Sequence, residues 1–191
     1  SDRKLNQRPE VIVPALTWST TIWPIIQAGF VPKFVDCEIN DLQVSAKTVS
    51  KAISQDTIGI CGVHILGNGL QAESYKEIAQ EHNIWLVEDT AESLGVKIGE
   101  KFAGTFGDFG TFSFYFSHHI TSVEGGMIIT NNDEYADLLR SLRSHGWARN
   151  RTDFEEISAS YPQIDPRFLF VTAGFNVRST EMNAAIGIEQ L

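Results

Sequence analysis

Residues 71–89 have the sequence QAESYKEIAQEHNIWLVED, in which a helical pattern is followed at once by an apolar strand. Apolar side chains spaced three and four residues apart, from Ala72 to Ala79, predict one buried face of a helix over 71–82. Residues 84–87 are all apolar, and the run is short enough for a buried strand. A helix leading directly into a continuous apolar strand is typical of a parallel sheet that is covered by helices.

The same alternation of helix and strand patterns extends over most of the chain. It predicts an α/β fold with a mainly parallel sheet and helices on both faces. Ligands bind such sheets beyond the carboxyl ends of the strands, where Asp89 and residues 113–119 fall. Further strands are predicted at 11–16, 33–36, 58–66, 107–116 and 126–130, further helices at 20–28, 45–53 and 133–145, and an irregular loop at 150–170.

The composition limits the classes of partner. Acidic residues outnumber basic ones by 24 to 15, and the net charge of −9 argues against nucleic acid as the main partner, although a nucleotide can bind in a local pocket. No apolar run approaches the ~20 residues of a membrane span, so no membrane partner is expected. Cys37 and Cys61 stand alone, which predicts neither a zinc site nor a disulfide and favours a reduced, cytoplasmic setting.

Two features suggest chemistry but are ambiguous by themselves. Asp89 closes an apolar strand, where an acid serves either as a helix cap or solvated loop carboxylate, or as the partner of a cationic ligand atom such as a pyridinium nitrogen. His118 and His119 are adjacent in a glycine-rich and aromatic segment, and such pairs are common on polar surface loops. No carboxylate or cysteine lies at ligand spacing from them, so no metal site is predicted.

The order of several motifs resembles the DegT-type sugar aminotransferases, a branch of the fold-type-I enzymes that use pyridoxal phosphate (PLP). The resemblance runs from residue 11 to nearly 190 and implies the large, cofactor-binding domain of that fold. Its motifs are VPALTWST at 13–20, FVD at 34–36, VH at 63–64, VED at 87–89, GD at 107–108, SF at 113–114, EGG at 124–126 and GFNVRSTE at 174–181.

The resemblance implies a role for five residues. Trp18 matches the aromatic residue that stacks on the cofactor ring, and Asp89 matches the acid that pairs with the pyridine nitrogen. Ser113 matches a phosphate-binding hydroxyl, whereas Glu92 stands where the family usually has Gln or His near the phenolic oxygen. Asn176 matches a residue that the neighbouring subunit lends to the phosphate, which implies a homodimer with a shared active site. From the residues alone, Trp18 also fits a core position and Asn176 a helix cap.

Position 118 departs from the aminotransferase pattern, because His118 stands where the family has its Schiff-base lysine. Imidazole cannot form that covalent link, but with a free pKa of ~6.5, against ~10.4 for lysine, it exchanges protons near neutrality. The substitution resembles the nucleotide-sugar 3-dehydratases of this family. There, pyridoxamine phosphate (PMP) condenses with a 4-keto-6-deoxy sugar, the histidine acts as base at the cofactor, and the C3 hydroxyl is lost.

Two types of these dehydratases are distinguished by their cofactors. The type acting on CDP-4-keto-6-deoxyglucose also carries a [2Fe–2S] cluster on cysteines. This chain has Ala91 near one cluster position and no cysteine over 140–170, so no iron–sulfur cluster is expected. The type acting on GDP-4-keto-6-deoxymannose, with glutamate as amino donor, resembles this chain more closely.

Two alternative functions fit the sequence as well, and the resemblance also predicts which part of a longer protein the chain represents. The chain also fits a sugar aminotransferase whose lysine has been replaced, or a non-catalytic binding or regulatory protein that keeps the fold, which Glu92 favours. Residues 1–191 are expected to be a fragment of the PLP-binding large domain, with an N-terminal segment and a small C-terminal domain lying outside it. Such a fragment is expected to be inactive alone. A role in O-antigen or capsule sugar synthesis is what the resemblance implies.

Overall fold

The computed structural model describes residues 8–191. Strands and helices alternate along these residues, as the sequence pattern predicts. The strands are β1 (Glu10–Pro14), β2 (Val31–Val35), β3 (Thr57–Val63), β4 (Trp85–Asp89), β5 (Lys97–Ile98), β6 (Lys101–Phe102), β7 (Phe109–Ser113) and β8 (Gly126–Ile129). The helices are α1 (Ser19–Gln27), α2 (Ala46–Ala52), α3 (Ala72–Glu81), α4 (Asp133–Leu142), α5 (Phe154–Ser160) and α6 (Glu181–Ile188).

The main sheet has six strands in the order β2-β1-β3-β4-β7-β8. Neighbouring strands are parallel except for β7 and β8, which pair antiparallel. The predicted α/β fold with a mainly parallel sheet is therefore confirmed. Because β4 and β7 are parallel neighbours, their carboxyl ends lie side by side, with Asp89 paired to Thr111.

Helices cover both faces of this sheet, as expected for a parallel sheet. On one face, α2 and α3 bury apolar side chains of the strands, so that Ile60 and Leu86 pack in a cluster with Tyr75 of α3. On the opposite face, Ile25 of α1 packs against Val13 and other β1 and β3 side chains. Successive strand residues point to opposite faces, so β1, β3 and β4 each contribute side chains to both clusters.

The predicted helix over 71–82 and the strand that follows it are confirmed as α3 and β4. Tyr75 is buried in the cluster, and its hydroxyl donates to the carbonyl oxygen of Val44 at 2.8 Å. Burial raises the pKa of the Tyr75 hydroxyl. The contact ties α3 to the segment before α2, so both helices are fixed over the same face of the sheet.

The second half of the chain departs from prediction in three places. The helix predicted over 133–145 ends at Leu142, because His145 and Gly146 have positive φ angles of 61° and 88° and reverse the chain. The strand predicted over 107–116 is limited to Phe109–Ser113. The loop predicted over 150–170 contains α5 and a 3₁₀ turn at Pro166–Phe168; α5 has an acidic first turn, which favours a helix without an apolar period.

Candidate active site

Asp89, the last residue of β4, is held from two sides. Its Oδ2 accepts a hydrogen bond from the Thr21 hydroxyl of α1 at 2.7 Å, and its Oδ1 accepts one from the backbone amide of Ala91 at 3.1 Å. The hydroxyl of Thr17 donates to that of Thr21 at 2.9 Å. Residues 90–96 form turns, so Asp89 does not cap a helix. The carboxylate is a fixed anionic group on the α1 side of the sheet.

Trp18 lies at the N-cap position of α1, one turn before the threonine that holds Asp89. Its side chain is 75% exposed, so the interpretation of Trp18 as a core residue is wrong. The backbone amide of Thr21 donates to the Trp18 carbonyl at 3.1 Å and fixes this turn. An exposed indole close to a held carboxylate is suited to a planar, cationic aromatic ligand, because one group offers a stacking face and the other a charge.

Ser113, at the end of β7, lies on the same face of the sheet as Asp89. Asp89 pairs with Thr111, and Ser113 is two residues further along the strand, so the alternation of side chains returns it to the same side. The Ser113 oxygen accepts the backbone amide of Tyr115 at 3.2 Å. Its hydroxyl proton therefore stays available for an acceptor such as a phosphate oxygen.

His118 lies in the loop that follows β7 and is half-buried. Its backbone amide donates to the carbonyl oxygen of Tyr115 at 3.0 Å, and the two rings meet edge to face at 5.9 Å. The Nδ1 atom of His118 is buried without a hydrogen-bond partner among residues 8–191. An unpaired buried polar atom costs about 1–3 kcal/mol, which is tolerated where a ligand or a reaction uses it. His119 is exposed.

Asn176 lies in an extended segment that forms a bridge with Ser144. Its side chain is exposed, and within the described residues no hydrogen bond links it to Asp89, Ser113 or His118. The interpretation of Asn176 as a helix cap is wrong, because the N-cap of α6 is Thr180, whose hydroxyl oxygen accepts the amide of Asn183.

Glu92 is exposed, and its Oε2 accepts the backbone amide of Leu66 at 2.8 Å. Leu66 has φ 51° and ψ 35°, a left-handed conformation that costs free energy for a residue other than glycine. Glu92 therefore stabilises the strained turn after β3. The Glu92 carboxylate therefore has a structural role that does not depend on a cofactor.

The acid with the most hydrogen bonds in this region is Glu88, for which the sequence pattern predicts no role. Glu88 and His64 are both fully buried, and His64 Nε2 lies 3.0 Å from Glu88 Oε2. The Nδ1 atom of His64 accepts the backbone amide of Leu70 at 3.2 Å, so the proton of a neutral imidazole resides on Nε2 and is donated to Glu88. A carboxylate next to Asp89 thus faces the α2–α3 side of the sheet.

Three backbone amides complete the environment of Glu88. Gly104 donates to Oε2 at 2.9 Å, and Phe106 and Gly107 both donate to Oε1 at 2.7 Å. Burial alone raises the pKa of the Glu88 carboxyl, but the bonds from His64, Gly107 and Gly104 outweigh it, so this pKa lies below its ordinary value. In the sequence, the one signal that distinguishes Glu88 from Asp89 is the alternation of side chains along a strand, which places these two consecutive acids on opposite faces of the sheet.

A large cleft in the structure does not coincide with the site around Asp89. This cleft of about 890 Å³, lined by Trp85, Asp108 and Tyr135 among others, lies at the amino ends of β4 and β7, at the opposite edge of the sheet from Asp89. Among residues 8–191, no group of three or more His, Cys, Asp or Glu side chains is placed to hold a metal ion. No helix in this part of the chain is both long and apolar enough to span a membrane.

Comparison with known families gives a match over residues 2–191 to the DegT/DnrJ/EryC1/StrS aminotransferase family. The chain belongs to this family. A curated relative is the GDP-4-keto-6-deoxy-D-mannose 3-dehydratase of Escherichia coli O55:H7, 42% identical over 190 residues, which are 98% of this chain and 49% of the relative. The chain therefore spans about half the length of that family member.

Solved structures of family members share the fold. The E. coli GDP-4-keto-6-deoxy-D-mannose 3-dehydratase with bound hydrated PLP has a TM-score of 0.87 and 42% identity, over 97% of this chain and 48% of that one. A GDP-4-keto-6-deoxymannose 3-dehydratase with a trapped PLP–glutamate geminal diamine has a TM-score of 0.83 and 40% identity, over 97% and 49%. The aminotransferase-type α/β fold expected from the sequence is therefore confirmed.

Replacing Glu88 by Gln is expected to lower the free energy of unfolding by roughly 3 kcal/mol, because the new amide group faces backbone N–H donors. The pKa of Glu88 is lowered in the folded protein, so its contribution is present above the unfolded-state pKa and is lost as pH falls through the folded-state value. Thermal unfolding midpoints measured from pH 8 down to pH 4 test both effects.

The matched control is Glu77→Gln, on the exposed side of α3. The midpoint of that variant is expected to follow the unmodified protein at every pH. The role assigned to Glu88 is contradicted if its Gln variant unfolds at the same temperature as the control, or if acidification lowers the midpoint of Glu88→Gln as steeply as that of the unmodified protein.

Proposed function

We propose that this chain is the cofactor-binding part of a PLP/PMP-dependent 3-dehydratase that removes the C3 hydroxyl of a nucleotide-linked 4-keto-6-deoxy sugar. The observation that carries the proposal is His118, an imidazole with an unpartnered buried nitrogen at the position where aminotransferases of this fold have lysine. Residues 1–191 constitute a fragment of the large domain in this proposal. An N-terminal segment and a small C-terminal domain complete the sugar site.

The described residues fit the cofactor in charge and shape. Asp89, held by Thr21 and a backbone amide, would pair with the pyridine nitrogen, and the exposed indole of Trp18 would cover the ring. Ser113 retains a hydroxyl proton for the phosphate. Glu92 lies near the region of the phenolic oxygen in the family pattern, and its bond to Leu66 directs the carboxylate toward a backbone donor. Bound PMP would supply the amino group and an electron-withdrawing ring.

His118 would hold and return the proton that moves during dehydration. A neutral imidazole accepts a proton at one ring nitrogen and releases it again near neutral pH, and positioned acid–base groups of this kind contribute about 10²–10⁴-fold to rate. Because histidine is not a primary amine, it cannot displace the bound amino sugar from the cofactor. The chain would therefore keep the base of an aminotransferase and lack its covalent tether.

The substrate, amino donor and compartment are proposed from the relatives and from the residues together. A relative with 42% identity is named for a GDP-linked sugar, and a related structure contains a PLP–glutamate species, so we assign a GDP-linked substrate and glutamate as donor. Ala91 and the cysteine-free stretch 140–170 support a reaction without an iron–sulfur cluster. Small soluble substrates and a reduced Cys37 and Cys61 fit a cytoplasmic enzyme.

The full-length protein, incubated with PMP, glutamate and GDP-4-keto-6-deoxymannose, is expected to form a 3-deoxy sugar that mass spectrometry detects. The variant His118→Asn is expected to lose at least about 100-fold in kcat while it still binds PLP, because it lacks the base but not the cofactor contacts. His119→Asn, at the exposed neighbouring position, is the matched control and should keep its rate.

Other products would redirect the assignment. An amino sugar without any 3-deoxy product would show a sugar aminotransferase. Cofactor binding is measured by the absorbance of PLP or PMP. If neither binds, the protein is a non-catalytic one that keeps the fold. A covalent adduct after borohydride reduction of the unmodified protein would contradict the role of His118, whereas His118→Lys is expected to form one.

Thr21→Val is expected to weaken PLP binding by roughly 5- to 10-fold, because valine keeps the shape of threonine but removes the hydroxyl donor to Asp89. Thr20→Val is the matched control, since Thr20 is the adjacent helix residue and is exposed. Titration of apoprotein with PLP by absorbance gives both dissociation constants. Equal constants for the two variants would show that Asp89 needs no support from α1.

A homodimer with shared sites explains the exposed Asn176, which would reach the phosphate bound by the partner subunit. In mixtures of inactive Asp89→Asn and Asn176→Ala proteins, each mixed dimer has one intact site, so activity is expected to return to about a quarter of the unmodified level. Dimers of each single variant provide the controls. No recovery after subunit exchange, verified by mass, would place Asn176 in the site of its own chain.

A further inference from the structure

The loop that carries His118 has an energetically costly backbone conformation. Residues 114–125 connect β7 to β8, and within them Val123 has φ 73°. This region is unfavourable for a β-branched residue, and such a conformation costs of order 1–3 kcal/mol. It persists only where surrounding contacts determine it, so the contacts of the loop show what fixes His118.

Asn183 of α6 binds the backbone on both sides of the strained residue. Its side-chain amide nitrogen donates to the carbonyl oxygen of Ser122 at 2.6 Å and to that of Glu124 at 3.2 Å. These two carbonyls flank Val123. A single side chain with two N–H donors thereby stabilises the peptide group that precedes Val123 and the peptide group that follows Glu124, one on each side of the unfavourable conformation.

Gln190, two residues after the end of α6, binds the loop three residues beyond His118. Its Oε1 accepts the backbone amide of Thr121 at 2.9 Å, and its Nε2 donates to the carbonyl oxygen of the same residue at 2.5 Å. A side-chain amide that pairs with both polar groups of one residue acts like a neighbouring strand. It fixes the direction of the chain at Thr121.

These amide bonds are the specific contact between α6 and the loop. Among the described residues α6 buries no side chain, and its apolar Met182 and Ile188 are 76% and 66% exposed. At Gly187 a Cβ atom would lie 3.8 Å from the Cβ of Ser122, an ordinary van der Waals distance, so this face of α6 lies next to the loop without steric crowding. Apolar packing therefore contributes little to this junction, and directional hydrogen bonds determine its geometry.

We propose that Asn183 and Gln190 are positioning residues that fix the His118 loop from α6. The proposal rests on the proposed function in treating His118 as the base. A proton acceptor displaced by about 1 Å loses rate by up to about 100-fold, whereas substrate binding elsewhere in the site is unaffected. Loss of either amide should therefore lower kcat and leave KM nearly unchanged.

The test uses full-length Asn183→Asp and Gln190→Glu, which keep side-chain size but remove the N–H donors. Glu189→Gln is the matched control, because it changes the same chemical groups at the adjacent exposed position. We expect kcat for 3-deoxy sugar formation to fall about 10-fold or more in both variants, with KM within about twofold. Hydrogen–deuterium exchange should increase in 118–124 and stay unchanged around Glu88.

Hydrogen–deuterium exchange can be measured without turnover, so it tests the positioning role independently of the proposed function. Unmodified protein without dehydratase activity would refute the function, while faster exchange of 118–124 in the variants would still show that α6 fixes the loop. Unchanged exchange in both variants, or faster exchange with an unchanged kcat, overturns the positioning role. If a charged variant does not fold, Gln190→Ala replaces it in the same comparison.

Discussion

The fully buried carboxylate of Glu88 is the constraint on which the rest of this structure depends. Taking a charged group out of water costs several kcal/mol unless it is fully bonded, and Glu88 receives four donors. They come from His64 after β3 and from residues 104–107 before β7. One side chain of β4 thus connects both neighbouring strands through the segments next to them, in addition to the hydrogen bonds of the sheet.

This arrangement explains how the sheet can present a precise carboxylate on its other side. Glu88 and Asp89 are consecutive residues of a strand, so they point to opposite faces. The bonds of Glu88 fix the backbone of β4 from the α2–α3 side, and Thr21 fixes the Asp89 side chain from the α1 side. Rigidity at Asp89 therefore depends on a neighbour that faces away from the site.

The sequence predicts those elements whose structure is determined by residues close together in the chain. The period of 3.6 over 71–82 and the apolar run at 84–87 predicted α3 and β4, and motif order predicted the family. The pairing of Glu88 with His64 was not predictable in this way, because its partners are 24 residues apart and meet only when β3 and β4 are adjacent. The same reason applies to Thr21 and Asp89, which are 68 residues apart. At 150–170, a helix with an acidic first turn formed without an apolar period.

The two side chains to which the proposed function gives chemical roles, Asp89 and His118, are anchored to different parts of the chain. Asp89 is attached to α1 and to the turn after β4 through its own carboxylate oxygens, whereas Nδ1 of His118 has no hydrogen-bond partner within residues 8–191. An ion-pair partner for a ring nitrogen benefits from a fixed position, because its effect depends on charge and distance alone. In the proposed function the His118 ring must change protonation state during turnover, so a fixed hydrogen bond to Nδ1 that suits one protonation state would disfavour the other. Backbone constraints on the loop, together with the edge-to-face contact with Tyr115, hold the His118 ring in place and leave Nδ1 without a hydrogen-bond partner.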